Sequence, residues 1–205
     1  MIKKYKKIIN NKIVEFQCDD ALNMFADSFF DLLDNEEREY GIIKDNYTIQ
    51  IGWSFYFIKQ CGDNTFSVSS PDYDKNPFED RSENLTKSFY IQMMQNELLH
   101  KTQCMGCPVT FQDTIIVLKD AMEFKDVYMH RTSESQNGNC GWYIGLLDDP
   151  EEEHPVEDYT RIYTYELLKY NPELLKVLPL DVGCIAIIKE EKIVEIADKD
   201  DNKIF

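Results

Sequence analysis

Glycine is scarce in this sequence, with eight in 205 residues. None of the eight builds a phosphate-cradling loop, a dinucleotide fingerprint or a Gly-x-Ser-x-Gly elbow, so the local signatures of nucleotide-dependent and serine-nucleophile chemistry are missing. Long apolar runs are missing as well, and no stretch approaches the roughly 18 residues of a membrane span. The basic start, "MIKKYKKIINNKIVEF", lacks the unbroken apolar core of about seven residues that an export signal needs. Asn10, Asn11 and Lys12 interrupt it after Ile8 and Ile9. The expectation is a cytoplasmic protein whose six cysteines are reduced. Positive charge is short too: 22 Lys and Arg stand against 38 Asp and Glu, a formal net charge of −16. Such a field repels phosphate backbones and disfavours nucleic acid. It suits a basic partner, or it serves solubility alone.

What is present is a globular composition, 43% hydrophobic and 13% aromatic, in a chain long enough for one large domain or two small ones. Asp19 and Asp20 are cap candidates for a first helix, with Leu22, Phe25, Phe29 and Leu32 at helical spacing and Gly41 as its stop. In "YTIQIGWSFYFIKQ", Tyr47, Ile49, Ile51, Trp53, Phe55 and Phe57 alternate, which predicts one strand with one buried face. "CGDNT" is turn chemistry and "FSVSS" its partner strand. Pro71 and Pro77 hold a loop open, and Asn84 caps a second helix from Leu85 to Lys101. "DTIIVLK", "DVYMHR" and "GWYIGLL" read as strands. A helix pair broken at Asn171-Pro172 follows, and then a hairpin turning at Glu190-Glu191. Helices and strands are interspersed without a strand-helix-strand repeat, which predicts an α+β fold with mostly antiparallel sheet. The expected division is residues 1–110 and 111–205. "GWSFYFI", "NPFED" and "QNELL" are echoed in order by "GWYIGLL", "HPVED" and "NPELL". The spacings differ, so duplication and coincidence both stand.

Candidate sites are few. Cys104 and Cys107 in "CMGC" have the spacing of a metal or dithiol pair, but there is no second Cys pair. A zinc site would need His130 and Cys140 to fold back onto them. The alternative is a loop with two ordinary thiols. His154 follows Glu151, Glu152 and Glu153, and consecutive loop residues do not converge on an ion, so a solvated loop histidine is expected. Asp148, Asp149, Glu151, Glu152, Glu153, Glu157 and Asp158 form a dense acidic run with prolines and no glycine, unlike a calcium loop. Electrostatic steering of a basic partner and plain solubility are its two readings. Trp53 and Trp142, placed inside alternating strands, are expected in the core.

The second half resembles the Imm33-type (DUF2185) family of bacterial immunity proteins. The matching pieces are Tyr128 to Arg131, Gly141-Trp142, the acidic run Asp148 to Asp158, Tyr163 to Pro172, and Leu180 to Gly183. Cys140 stands where the pattern has Ser, and Asp181-Val182-Gly183 replaces "PVG". The resemblance implies a non-enzymatic, cofactor-free protein that occludes a cognate toxin. Its partner would be a protein with a basic surface, with no nucleic acid and no membrane involved. The seven carboxylates of the acidic run are the candidate contacts.

Overall fold

A computed structural model describes residues 1–149 and 154–205. The chain forms two compact units, Met1–Met93 and Met94–Phe205, and the α+β class with mostly antiparallel pairing holds in both.

The first unit opens with a hairpin that the basic composition of the N-terminus masks. Strand β1 (Ile2–Ile9) pairs antiparallel with β2 (Lys12–Asp19) through Ile9 and Lys12. The two residues that interrupt the apolar run, Asn10 and Asn11, are the turn, at φ 48° and 61°. Asparagine tolerates the left-handed conformation that a two-residue hairpin turn demands. Asp19 then accepts the Ala21 amide at 2.9 Å and leads through one 3₁₀ turn into helix α1 (Asn23–Tyr40). Its buried face is Ala26, Phe29, Phe30, Leu33 and Glu37, continuous through the charged stretch to a left-handed Gly41.

The alternating run from Tyr47 to Phe57 is two strands rather than one. Strand β3 (Tyr47–Ile51) turns at Gly52-Trp53 into β4 (Ser54–Gly62), with Ile51 opposite Ser54. The turn reverses the parity of the pattern. Tyr56 and Ile58 are buried, while Phe55 and Phe57 are only half-buried. Gly52 makes the turn at φ 56°, and a Cβ there would lie 1.6 Å from the Gln92 Oε1. Trp53 is buried as expected, but in the turn and not in a strand. Strand β5 (Thr65–Pro71) returns along β4, β6 (Arg81–Ser82) adds a short pairing, and Asn84 accepts the Thr86 amide at the start of α2 (Thr86–Thr102). The sheet order is β1-β2-β5-β4-β3, with β2 and β5 parallel. Phe16 is the hub of the core, with ring centroids 4.7 to 5.6 Å from Phe30, Phe29 and Phe89.

The second unit contains β7 (Thr114–Leu118), β8 (Val127–Arg131), β9 (Asn139–Leu146), β10 (Tyr159–Tyr163), the short helices α3 (Leu167–Tyr170) and α4 (Glu173–Val177), and the hairpin β11 (Ile185–Lys189) and β12 (Lys192–Ala197). Glu190 and Glu191 make the expected hairpin turn at φ 47° and 63°. The sheet order is β10-β7-β9-β8-β11-β12, with β7 and β9 parallel. Ile115 and Val117 of β7, Val127 and Met129 of β8, Trp142 and Ile144 of β9, and Ala186 and Ile188 of β11 are among its buried residues and stand two positions apart, as the core-facing side of a sheet requires. Both units thus share a three-strand arrangement: β2, β5 and β4 in the first, β7, β9 and β8 in the second, with the first strand of each trio parallel to the middle one and the third antiparallel to it. The echoing Gly-Trp pairs occupy different strands of it, one leading β4 and the other within β9.

One charge in the first core has a measurable consequence. The Glu37 carboxylate, 1% exposed, accepts the Lys12 ammonium at 2.7 Å, the Ile43 amide at 2.7 Å and the Asn10 side-chain amide at 3.2 Å. Burial alone raises its pKa, but these three donors outweigh that effect and hold it below the ordinary value. A depressed carboxylate pKa stabilises the fold above the unfolded-state pKa, and that contribution disappears as the pH falls through the folded value. Denaturant unfolding should therefore show stability declining in acid. Glu37→Gln should cost about 1–3 kcal/mol near neutrality and flatten that acid decline. An unchanged pH slope in the variant would remove Glu37 from the account.

Candidate functional site

The acidic segment is placed by the order of three strands. Strand β9 runs parallel to β7 on one side, and β10 runs antiparallel on the other, with Tyr159 opposite Leu118. The connection from β9 to β10 must therefore pass over the end of β7. Leu118, Lys119 and Asp120 lie beneath it, and with Leu146, Asp149, His154 and Asp158 they line a hollow of 290 Å³. The Lys119 ammonium donates to the Glu157 carbonyl, and the Asp158 amide donates to the Pro155 carbonyl at 3.0 Å.

His154 is not the solvated loop residue expected. Its side chain is 15% exposed, with Nε2 2.7 Å from an Asp149 carboxylate oxygen and Nδ1 3.8 Å from one of Asp158. Consecutive residues of an extended loop diverge, but Asp149 and His154, five positions apart, meet. Asp149 is 20% exposed and Asp158 43%. Asp148 and Glu157 are exposed to solvent. Glu151, Glu152 and Glu153 lie outside the described residues. Of the carboxylates singled out in the sequence, two are thus engaged with an internal histidine and two face water.

Beside this loop lies an aromatic row that the sequence reading did not single out. His154 meets Tyr159 edge-on at 6.3 Å, Tyr159 lies 5.8 Å from Tyr143, and Tyr143 lies 5.6 Å from Tyr128. Gly145 makes room for the row, because a Cβ there would stand 2.7 Å from both tyrosines of the Tyr128–Tyr143 pair. Burial, followed by the neighbouring Tyr128, raises the Tyr143 phenol pKa, so it stays neutral. The three tyrosines lie on three different strands, so no spacing along the chain signalled the row. A larger and more open hollow of 640 Å³ adjoins the row, lined by Ile116, Val156, Tyr159, Thr160 and Arg161. Val156, at the tip of the acidic segment, is 86% exposed.

The cysteine-histidine set does not come together. Cys104 and Cys107 are half-buried in the loop after α2, Cys140 is buried at the start of β9, and His130 is half-buried on β8. Among the described residues no group of three or more His, Cys, Asp or Glu is arranged to hold a metal ion. Burial lifts the Cys140 thiol to about 11. The "CMGC" loop follows the C-terminus of α2 and leads to β7, so it does not open a helix as a Cys-x-x-Cys dithiol motif does.

The motif residues behind the family resemblance converge on one buried carbonyl. The Leu178 oxygen, at the end of α4, accepts the Trp142 indole N–H at 2.9 Å and the Arg131 guanidinium at 3.2 Å. The same guanidinium reaches the Leu180 carbonyl, and the Arg131 backbone exchanges hydrogen bonds with Gly183 and Cys184 at 2.8 and 3.0 Å. Gly141 lets Trp142 enter, at φ 77° with the Ser133 carbonyl 2.0 Å from where a Cβ would stand. These residues hold the unit together. Trp142→Phe should keep the ring volume but lose the indole donor, at a cost of about 1–3 kcal/mol in thermal or denaturant unfolding. Gly141→Ala should cost at least as much through backbone strain. Wild-type stability in either variant would show that the convergence is not a framework.

No helix among the described residues is long and apolar enough to cross a membrane. No curated protein and no solved structure matches the chain. Residues 94–199, just over half of the sequence and nearly all of the second unit, match the family model of the Imm33-like domain. With the match covering the Arg131–Trp142–Leu178 convergence and the acidic segment alike, this chain belongs to the Imm33-like family.

Proposed function

We infer that this protein is a non-enzymatic immunity protein that neutralises a bacterial toxin in the cytoplasm by occluding it. The observation that carries the reading is the match of residues 94–199 to an immunity-protein family. The surface chemistry supports the same reading. An inhibitor needs an apolar anchor rimmed by polar groups, and here Val156, Tyr159 and Ile116 line one hollow with Thr160 and Arg161, with Glu157 next to Val156 in the chain and Glu151, Glu152 and Glu153 in the same acidic run. The partner that fits is a basic protein surface, such as a nuclease cleft. A net charge of −16 would speed encounter with it. Asp149 and Asp158 already engage His154, so they hold the loop in shape and the exposed carboxylates meet the toxin. The rival reading is a small acidic regulatory or structural module in which the charge serves only solubility.

The test is co-expression with a toxin-like protein taken from a gene neighbouring this one, where such a gene is found. Restored growth is expected, and continued killing despite folded protein would overturn the reading. Replacing Glu151, Glu152 and Glu153 by Gln together should slow association about tenfold at low salt and flatten the salt dependence, with stability unchanged. Identical association rates across salt concentrations would put the contact surface elsewhere. A Val156→Asp variant should raise the dissociation rate, because a charge would then occupy the apolar anchor.

A further inference from the structure

The sequence pairs Cys104 with Cys107, but the fold pairs Cys104 with Cys184. The loop after α2 is fastened to the segment that leads into β11 by three backbone bonds. The Met105 and Gly106 amides donate to the Asp181 carboxylate at 3.4 and 3.2 Å, and the Cys107 amide donates to the Pro179 carbonyl at 2.8 Å. Gly106 allows this close approach at φ 84°, with Leu99 3.1 Å from where its Cβ would be. The Cys184 amide donates in turn to the Asp181 carbonyl, so Asp181 serves both segments. These bonds bring the loop that carries Cys104, a half-buried residue, against the segment that carries Cys184, which is 1% exposed. Burial first, and then the neighbouring Cys104 thiol, push the Cys184 thiol above its ordinary value. All six cysteines are free thiols in this structure.

We propose that Cys104 and Cys184 are an oxidation site that closes into an intramolecular disulfide when the protein meets a low-molecular-weight disulfide of the glutathione type. The more accessible Cys104 thiolate attacks one sulfur of the reagent. The reagent's S–S bond breaks, one thiolate leaves, and a mixed disulfide remains on Cys104. The Cys184 thiol then loses its proton to that departing thiolate and attacks the Cys104 sulfur, expelling the second small thiol. Two protein thiols become one disulfide, and the reagent is reduced to two thiols. The bond would staple the end of α2 to β11 beside the Arg131 backbone, which donates to the Cys184 carbonyl. It closes a long loop of chain, so the unfolded state loses conformational freedom. This inference stands independently of toxin neutralisation.

The experiment treats the full chain with oxidised glutathione, alkylates the remaining thiols, and maps linked peptides by mass spectrometry without reductant. The expected result is a Cys104–Cys184 linked peptide, the loss of two titratable thiols, and a thermal midpoint raised by roughly 5–10 °C. Cys104→Ser, a substitution in the surface loop, should abolish the link and the shift, while Cys107→Ser should keep both. A dominant Cys104–Cys107 link, or glutathione retained on Cys104 with Cys184 still alkylatable after unfolding, would overturn the proposal. So would a linked protein whose midpoint has not moved.

Discussion

The second unit depends on one buried oxygen. The Leu178 carbonyl lies where α4 ends, in a region stripped of water, and an unsatisfied acceptor there would be costly. Trp142 from β9 and Arg131 from β8 both donate to it, so a single acceptor joins two neighbouring strands to the helical segment that covers them. Arg131 could be buried in this way because it finds backbone carbonyls, at the helix end where the dipole favours a cation. The strand register, the helix position and the entry of β11 all follow from that meeting point.

This arrangement explains what the family pattern records. Arg131, Gly141-Trp142 and the run from Leu180 to Gly183 are far apart in the chain and adjacent in space. Arg131 and Trp142 donate to backbone carbonyls, and Gly141 avoids a clash that any Cβ would make. In the function proposed above, the exposed Asp148, Val156 and Glu157 between β9 and β10 belong to the contact surface.

Much of the fold was legible from residue patterns. The first helix, its Gly41 stop, the β4–β5 hairpin, the broken helix pair at Asn171-Pro172 and the Glu190-Glu191 turn all follow local rules that tertiary contacts do not overturn. The misreadings share a cause. Asn10-Asn11 and Gly52-Trp53 are two-residue turns inside runs whose composition suggested something else: a failed signal sequence in one case, a single long strand in the other. An alternating pattern looks continuous across such a turn, although the buried parity reverses. The site was less legible. The acidic run is plain in the sequence, but the embrace of His154 by Asp149 and Asp158 depends on the crossing over β7, which no local spacing announces.

The amino-acid order determined the α+β class, the acidic field, the positions of most turns and the family, because these rest on periodicity, composition and short motifs that act within a few residues. The tertiary structure decided that Asp149 and Asp158 meet His154, that three tyrosines form a row, that Arg131 and Trp142 share a carbonyl, and that the loop carrying Cys104 is fastened to the segment leading into β11. Those outcomes depend on strand order and register. These bring residues tens of positions apart to within a few ångströms, and the chain does not express that proximity until its cores have closed.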